Sequence, residues 1–536
     1  MTPHRTILNP PTKKRPPICH SRARPALSLP AVAWAGLSKG GNPRALIAPT
    51  NSFCYSLLIE AFVVSTIALF ILVPGCSKSH VRDYNKLKYP KLGSIEIPRV
   101  ERVTLPNGMR LFLLEDHELP LINISARIRT GSIYEPPDKI GLASITGEVM
   151  RTGGTASKTG DELDEQLERM AASVETGIGL NSGYASVSVL KEDIDKGLSV
   201  LADVLMNPAF REDKIQLSKM QHKSMIARRN DDVGEIANRE FDKLIYGPGS
   251  AYARHEEYAT IDGITRDDLI AFHKKFFGPN NMMLAVCGDF DTKQMIAKIE
   301  KAFEGWPKVD LNLPGVPQVK YEFRKTVNQI RKDDVNQSNI YLGHIGGLMN
   351  DPDYFALLVM NKILGGGFTG RLFKNVRSRE GLAYSVFGVY SAEFDHPGVF
   401  YVGCQTKSQS TVYAIRAMLK EVEKIRESEV TDEELALAKD SFLNSFVFNF
   451  DTKGEIVSRL MTYEYFGYPA DFLQKTKDNV EKVTKADVLR VAKKHLNPGN
   501  VQILAVGRPD DFDQPLSTLG KLSEIDITIP EPVRAQ

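Results

Sequence analysis

Ile264-Thr265-Arg266-Asp267-Asp268-Leu269, running on through Pro279-Asn280-Asn281 to Gly288, returns without a gap 219 positions later as Val483-Thr484-Lys485-Ala486-Asp487-Val488, through Pro498-Gly499-Asn500 to Gly507. Self-similarity at a fixed distance marks one domain written twice. Each copy gives a threonine N-cap, an amphipathic helix ending in Lys-Lys, a proline-led turn and an apolar strand closed by glycine. Outward from the first copy, 111–114 is a short apolar run, 121–128 and 183–190 alternate as strands do, and 162–173 has helical spacing through Leu163, Leu167 and Met170. A further helix is predicted over 193–205, stopped by Asn207-Pro208. In the second half the spacing predicts helices over 353–364, 411–428 and 432–448. Strands and helices segregated in this way predict an α+β fold of two tandem sandwich domains, not a doubly wound parallel sheet. The prolines at 307, 314 and 317 mark a linker between the copies.

Composition fits such a protein: 536 residues, 42% hydrophobic and 25% charged, enough for two or three cores. The net charge of +2 hides an asymmetry. Eight Lys and Arg and no acid precede Glu60, which leaves −6 on the remainder and gives no reason to propose nucleic acid. Residues 1–50, rich in proline and basic residues and without periodicity, read as a disordered extension. It is either an organelle transit peptide or an over-extended start, and the apolar run C-terminal to it favours the second. Residues 61–73 are thirteen largely apolar residues, short for a spanning helix, which needs about 20. They precede Pro74-Gly75-Cys76, so that 51–76 reads as a lipoprotein signal with Cys76 as the acylated residue, or as a plain membrane anchor. A linker over 77–91, domains over 92–306 and 325–515 joined by 307–324, and a tail over 516–536 complete the expected organisation. Cys287 and Cys404 sit in apolar strand contexts with no C-x-x-C pair, as buried inert thiols do.

The chemistry turns on residues 141–155, Gly-Leu-Ala-Ser-Ile-Thr-Gly-Glu-Val-Met-Arg-Thr-Gly-Gly-Thr. This is the frame of an inverted zinc helix, H-x-x-E-H, in which two imidazoles four residues apart grip the metal and the glutamate activates water. Ser144, Gly147 and Glu148 stand at those three positions. A serine hydroxyl is a poor zinc ligand, glycine cannot act as a base, and one carboxylate does not hold the ion. Further on, 364–373 reads Leu-Gly-Gly-Gly-Phe-Thr-Gly-Arg-Leu-Phe, followed by Val376-Arg377 and Gly381-Leu382-Ala383-Tyr384-Ser385-Val386. With Gly141-Leu142-Ala143 and Gly154-Thr155, these stretches are similar to the M16 (pitrilysin and mitochondrial-processing-peptidase-like) zinc metallopeptidases over about residues 92–515.

The resemblance implies two tandem homologous M16-type α/β sandwich domains, with antiparallel-rich sheets flanked by helices. It places a third zinc ligand, a glutamate, roughly seventy to eighty residues beyond the zinc helix; 221–225 is Gln-His-Lys-Ser-Met, with no acid. All the ligand positions and the base depart together, so the chain is expected to bind no metal itself. The resemblance also implies that Arg377 and Tyr384 reach the reacting carbonyl, with Gly365, Gly366, Gly367 and Phe368 lining the substrate path. From the residues alone, Arg377 reads as a solvated helix residue, Tyr384 as a core aromatic and 365–367 as a helix-entry turn. Gly365–Gly370 is no phosphate loop, because Arg371-Leu372 follows it. His222, His255, His273 and His344 read as surface or packing residues, and His255-Glu256 begins a zinc motif that stops short. The expected function is the zinc-free subunit of a heterodimeric M16-type peptidase. A partner with intact H-x-x-E-H supplies zinc, peptides are the substrate, and the chain is held at the bacterial envelope, periplasm-facing, with the outer membrane favoured by Ser77. The alternative is a non-catalytic scaffold or peptide-binding pseudopeptidase.

Overall fold

In both copies the strand that follows the repeated helix lies inside a six-stranded sheet and is buried along almost its whole length. The computed structural model describes residues 98–449 and 452–530, all within one compact unit, Pro90–Gln536. The 1–50, 51–76 and 77–91 segments, Cys76 included, lie outside the described residues. The first sheet contains β1 (Glu101–Thr104), β2 (Arg110–Glu115), β3 (Leu121–Ile128), β4 (Ser173–Ile178), β5 (Gly183–Leu190) and β6 (Met282–Gly288), in spatial order β1-β2-β6-β3-β5-β4. The second contains β7 (Thr326–Arg331), β8 (Gln337–Ile345), β10 (Ala383–Tyr390), β12 (Val399–Lys407), β13 (Gln502–Gly507) and β14 (Leu522–Glu524), in order β10-β12-β8-β13-β7-β14; β9 (Gly347–Leu348) and β11 (Ala392–Glu393) form a small parallel pair apart from it. Leaving aside the outermost β1 and β14, the two orders coincide strand for strand. Within these five shared strands each has one parallel pair, β2 with β6 and β7 with β13, in an otherwise antiparallel ladder, and β14 adds a second parallel pair with β7. The fold is α+β, with one sandwich architecture present twice.

The helices that frame the site and join the lobes are α1 (Leu142–Thr152), α2 (Glu212–Arg228), α3 (Val233–Tyr246), α4 (Arg266–Phe276), α5 (Tyr354–Gly365), α6 (Thr411–Glu427), α7 (Lys453–Phe466) and α8 (Lys485–His495). The repeated helices α4 and α8 open with the same reciprocal cap. Thr265 Oγ1 accepts from the Asp268 N–H at 3.3 Å while the Asp268 carboxylate accepts from the Thr265 N–H at 2.8 Å; Thr484 and Asp487 repeat this at 3.1 and 3.0 Å. Each cap satisfies two backbone donors that a helix start otherwise leaves unpaired. One predicted helix is shorter than its spacing suggests. The helix over Gly160–Arg169 ends before 173 because Ala171 takes φ +46°, and Ser173 already opens β4.

Strand parity sends alternate residues into different cores. Leu111, Leu113, Leu284 and Val286 join the main core of the first lobe, whereas Phe112, Leu114, Met283 and Ala285 face the other way, onto Val457, Met461 and Tyr465 of α7. In return, Ile236, Ala237 and Phe241 of α3 cover Ile330, Val399, Leu504 and Val506 of the second sheet. Each lobe thus lends one helix to the outer face of the other's sheet. This explains why β6 and β13 read as continuous apolar runs: strands covered on both faces have no solvent side to keep polar. Burying one such side chain is worth about 1.5–3 kcal/mol, so the exchange makes the lobes interdependent. The chain end adds a strap. Ile525 and Ile527 pack with α3 on the second sheet, the Ile527 carbonyl accepts from Asn230 Nδ2 at 2.7 Å, and Ile529 packs against the core of the first lobe. No helix among the described residues is long and apolar enough to cross a membrane.

Candidate functional site

Helix α1 starts at Gly141, whose φ of +105° suits glycine, and buries Leu142, Ala143, Ile145, Val149 and Met150. No side chain caps it locally. Instead the buried Glu135 carboxylate accepts from the Gly141 and Ala143 N–H groups at 3.2 and 2.6 Å, and burial pushes its pKa up to about 7 despite these donors. The base position of the inverted zinc motif is sealed. A Cβ built on Gly147 would lie 2.5 Å from the Ile178 nitrogen and 2.7 Å from the Gly177 carbonyl carbon, both backbone atoms of β4. Thr176 Oγ1 donates to the Gly147 carbonyl at 2.6 Å and fixes this approach. A glutamate does not fit at 147.

The flanking positions, Ser144 and Glu148, are half-buried. Glu148 faces α2, where Ser218 and His222, one turn apart, share a helix face. Ser218 Oγ donates to Glu148 Oε2 at 2.7 Å, and His222 Nε2 stands 3.8 Å from the same oxygen, an ion-pair distance too long for a hydrogen bond. The other ring nitrogen, Nδ1, is 2.6 Å from Glu256 Oε2. The His222 side chain is only 5% exposed. Burial alone would lower its pKa, but the two carboxylates outweigh burial and raise it to about 9, so the ring is an imidazolium at neutral pH. The Glu148 carboxyl is in turn held below its ordinary value, first by His222 and then by Ser218, against desolvation.

The packing reading of His222 is therefore corrected: it is buried, but as a charged group between two acids. Glu256, the carboxylate that reading 221–225 did not find, arrives from the loop before the Tyr258–Asp262 helix. The truncated His255-Glu256 motif was its only sequence signal. His273 and His344 are buried and His255 is half-buried. Burial pushes His255 and His344 down to about 4, while His273 Nε2 bonds the Leu205 carbonyl at 2.9 Å.

These residues do not fit a zinc ion. Ser144 and Gly147 supply neither the imidazole nor the base, His222 Nδ1 is already taken by Glu256, and among the described residues no three ligand atoms converge around α1. Among the described residues, Asp351, Asp353 and His495 stand close enough to suggest another metal site. However, Asp353 already receives Arg490 at 2.5 Å, Lys494 at 2.7 Å and His495 at 2.8 Å, and these partners hold its carboxyl far below the usual range despite burial. A divalent ion would face the Arg490 and Lys494 cations, so the cluster works as an ion-pair hub that ties α8 to the start of α5.

In the second lobe, Arg377 lies in a π-helical turn, Phe373–Arg379, a widened turn of the kind that recurs at functional sites. Its guanidinium stands 4.7 Å from the centre of the Phe373 ring and 5.8 Å from that of Tyr384. Phe368 meets Phe373 edge-on at 5.0 Å. Tyr384 is the extra residue of a bulge in β10, between the pairs Ala383–Thr406 and Ser385–Gln405, at the edge of the second sheet. It is 77% exposed and Phe368 76%, so Tyr384 is not the core aromatic that the residues alone suggest. Among the described residues, no hydrogen bond or ion pair engages the Arg377 guanidinium or the Tyr384 hydroxyl. Gln405, the partner of Ser385, lines a cavity of about 750 Å³ together with Gln337, Asn339, Asp231, Asp232 and Arg508, between the start of α3 and the second sheet.

The three glycines differ in role. Gly365 closes α5 directly against β10, where a Cβ would lie 2.3 Å from the Gly388 backbone, so its missing side chain makes room for the sheet. Gly366 caps the helix, and Gly367, at φ +87° with open space around it, turns the chain out of α5. The stretch is a helix exit, not the entry turn considered from the sequence. No hydrogen bond, ion pair or ring contact among the described residues joins Arg377 or Tyr384 to Ser144, Gly147 or Glu148.

Comparison with known proteins agrees with this geometry. The insulinase (peptidase family M16) profile matches residues 111–243, and the peptidase M16 inactive domain profile matches residues 263–442. The chain belongs to the M16 peptidase family. It is similar to the uncharacterized zinc protease YmxG of Bacillus subtilis, 24% identical over 361 residues that span 67% of this chain and 87% of that one. It is also similar to the non-peptidase homolog YmxG of Helicobacter pylori, 25% identical over 384 residues, 71% of this chain and 88% of that one. Among solved structures, a peptidase M16 inactive domain from Pseudomonas fluorescens aligns with a TM-score of 0.71 at 24% identity, over 78% of this chain and 100% of that one. A protease from Helicobacter pylori aligns at 0.67 and 18% identity, over 76% and 99%. The M16 resemblance read from 141–155 and 364–386 is thereby borne out. The inactive-domain match and the donor set around α1 agree on an M16 chain of the non-catalytic type.

Proposed function

We propose that this chain is the zinc-free subunit of a two-chain M16-type peptidase, presenting Arg377 and Tyr384 to a peptide held at the zinc of a partner that carries intact H-x-x-E-H. The carrying observation is a contrast between the lobes. The first has closed its base position with the Gly147 approach and taken up Glu148 in the His222 ion pair, while the second keeps a half-buried guanidinium and an exposed phenol with no hydrogen-bond or ion-pair partner among the described residues. Unengaged donors on an M16 chain suit a surface completed by another subunit. A phenol aimed at developing oxyanion charge can supply roughly 3 kcal/mol of barrier reduction, and Arg377, stacked on Phe373 and Tyr384, is pre-set to hold a carbonyl or carboxylate of the substrate. Gly367 and Phe368, at the open turn beside this cluster, are the substrate contacts of the reading. Localisation belongs to the same proposal: acylation at Cys76 would hold the chain at the bacterial envelope, facing the periplasm and in the outer membrane by its Ser77.

The test mixes the purified chain with an M16 subunit of the same genome that carries H-x-x-E-H and follows a quenched peptide. No cleavage is expected from this chain alone, and cleavage is expected on mixing. Chelator-sensitive cleavage by the isolated chain would refute the reading. A second reading, a scaffold or peptide-binding pseudopeptidase, is favoured by the name of the Helicobacter pylori relative, a non-peptidase homolog. It predicts that the mixture gains nothing over the partner alone.

A further inference from the structure

We propose that the charged side chain of His222 is a built-in counter-ion, clasping α1 to α2 and to the Glu256 loop, which does inside this lobe the mechanical work of a bound cation and leaves no role for one. The geometry carries the proposal. A single buried ring stands between carboxylates from two separate segments, Glu148 of α1 at 3.8 Å and Glu256 of the loop at 2.6 Å, and Ser218 Oγ holds Glu148 in place at 2.7 Å. Gly141 completes the enclosure, since a Cβ there would lie 3.3 Å from the Glu256 carboxyl carbon. Two partly buried acids facing one another need a positive charge between them, and a protonated ring at this spot supplies it without exchange with solvent.

The remaining charged and titratable neighbours do not replace it. On α2, Lys219 donates to the Asp262 carbonyl and Lys223 pairs with the Asp262 carboxylate; Arg229, at the end of α2, donates to the Glu256 carbonyl and pairs with Glu257; on the loop, Arg254 donates to the Ser132 carbonyl; Glu135 faces the start of α1. The inference does not depend on whether a partner subunit exists.

Linkage gives the sign of the effect. The folded His222 value, about 9, lies above the ordinary 6.5, so its stabilisation is complete below 6.5 and is lost as pH rises through 9. Glu135, pushed to about 7, finishes ionising lower, so the window above about pH 8 separates His222 from Glu135, and comparison with the His222 variant removes the groups the two proteins share. The experiment is thermal unfolding of the full chain and of His222→Gln across that window. The wild-type melting temperature is expected to fall as pH passes 9, with the variant lower at pH 8 and falling less steeply through the window. Equal slopes in the two proteins would overturn the proposal. If His222→Gln does not fold, nitrogen NMR of histidine-labelled wild type decides, with the His222 signal assigned as the one that moves in Glu256→Gln. Protonation of both ring nitrogens at pH 8 supports the counter-ion, and a neutral tautomer there overturns it.

Discussion

Replacing Tyr384 with phenylalanine should lower kcat of the reconstituted two-chain peptidase by about 10²–10³-fold with KM little changed, since only the hydroxyl is lost and an oxyanion donor acts mainly in the transition state. The substitution is clean on structural grounds. The ring is exposed at the edge of the second sheet, its hydroxyl has no partner among the described residues, and its contact with Arg377 is through the ring face, which phenylalanine keeps. The melting temperature of the variant chain should therefore match wild type. Steady-state kinetics on the mixture check this, and full activity of the Tyr384→Phe mixture would remove Tyr384 from the reaction.

The second large effect concerns the sealed position. Gly147→Glu, which restores the acid of the inverted zinc motif, should destabilise the chain by at least about 4 kcal/mol and restore no activity. The new Cβ would overlap the backbone of β4 at Gly177 and Ile178, and backbone cannot move aside as the end of a flexible side chain can. The new carboxylate would also have to be desolvated in the closed space between α1 and β4. Chemical denaturation of the purified variant measures the loss. Wild-type stability would show that α1 can lift from the sheet and that the approach at Gly147 is not a barrier.

Much of this was legible in the residues. The repeat at 264–288 and 483–507 announced two copies of one domain, and the shared strand order and twin threonine caps realise it. Ser144, Gly147 and Glu148 announced a lobe without its ligands. Three features were not legible, each for a physical reason. α2 turns Ser218, Lys219 and His222 inward, so its buried face is polar and gives little hydrophobic periodicity. The partners of α3 and α7 lie on the other lobe's sheet, and an apolar helix face carries no record of which sheet it covers. Glu256 reaches His222 across 34 positions, through a loop whose path is set by packing, so no local motif announces the pair. Trp306, at the margin of the proline-marked linker, closes the core of the first lobe against Phe303.

The first lobe's loss of zinc chemistry is a matter of geometry, and metal analysis of the purified, unmixed chain tests it most directly. Dialysed against buffer containing zinc and then desalted, the protein should retain far less than one zinc per chain, because Ser144 stands where an imidazole ligand is needed and among the described residues no three ligand atoms converge around α1. One tightly held zinc per chain, lost on substituting Glu148 or His222, would contradict the central claim.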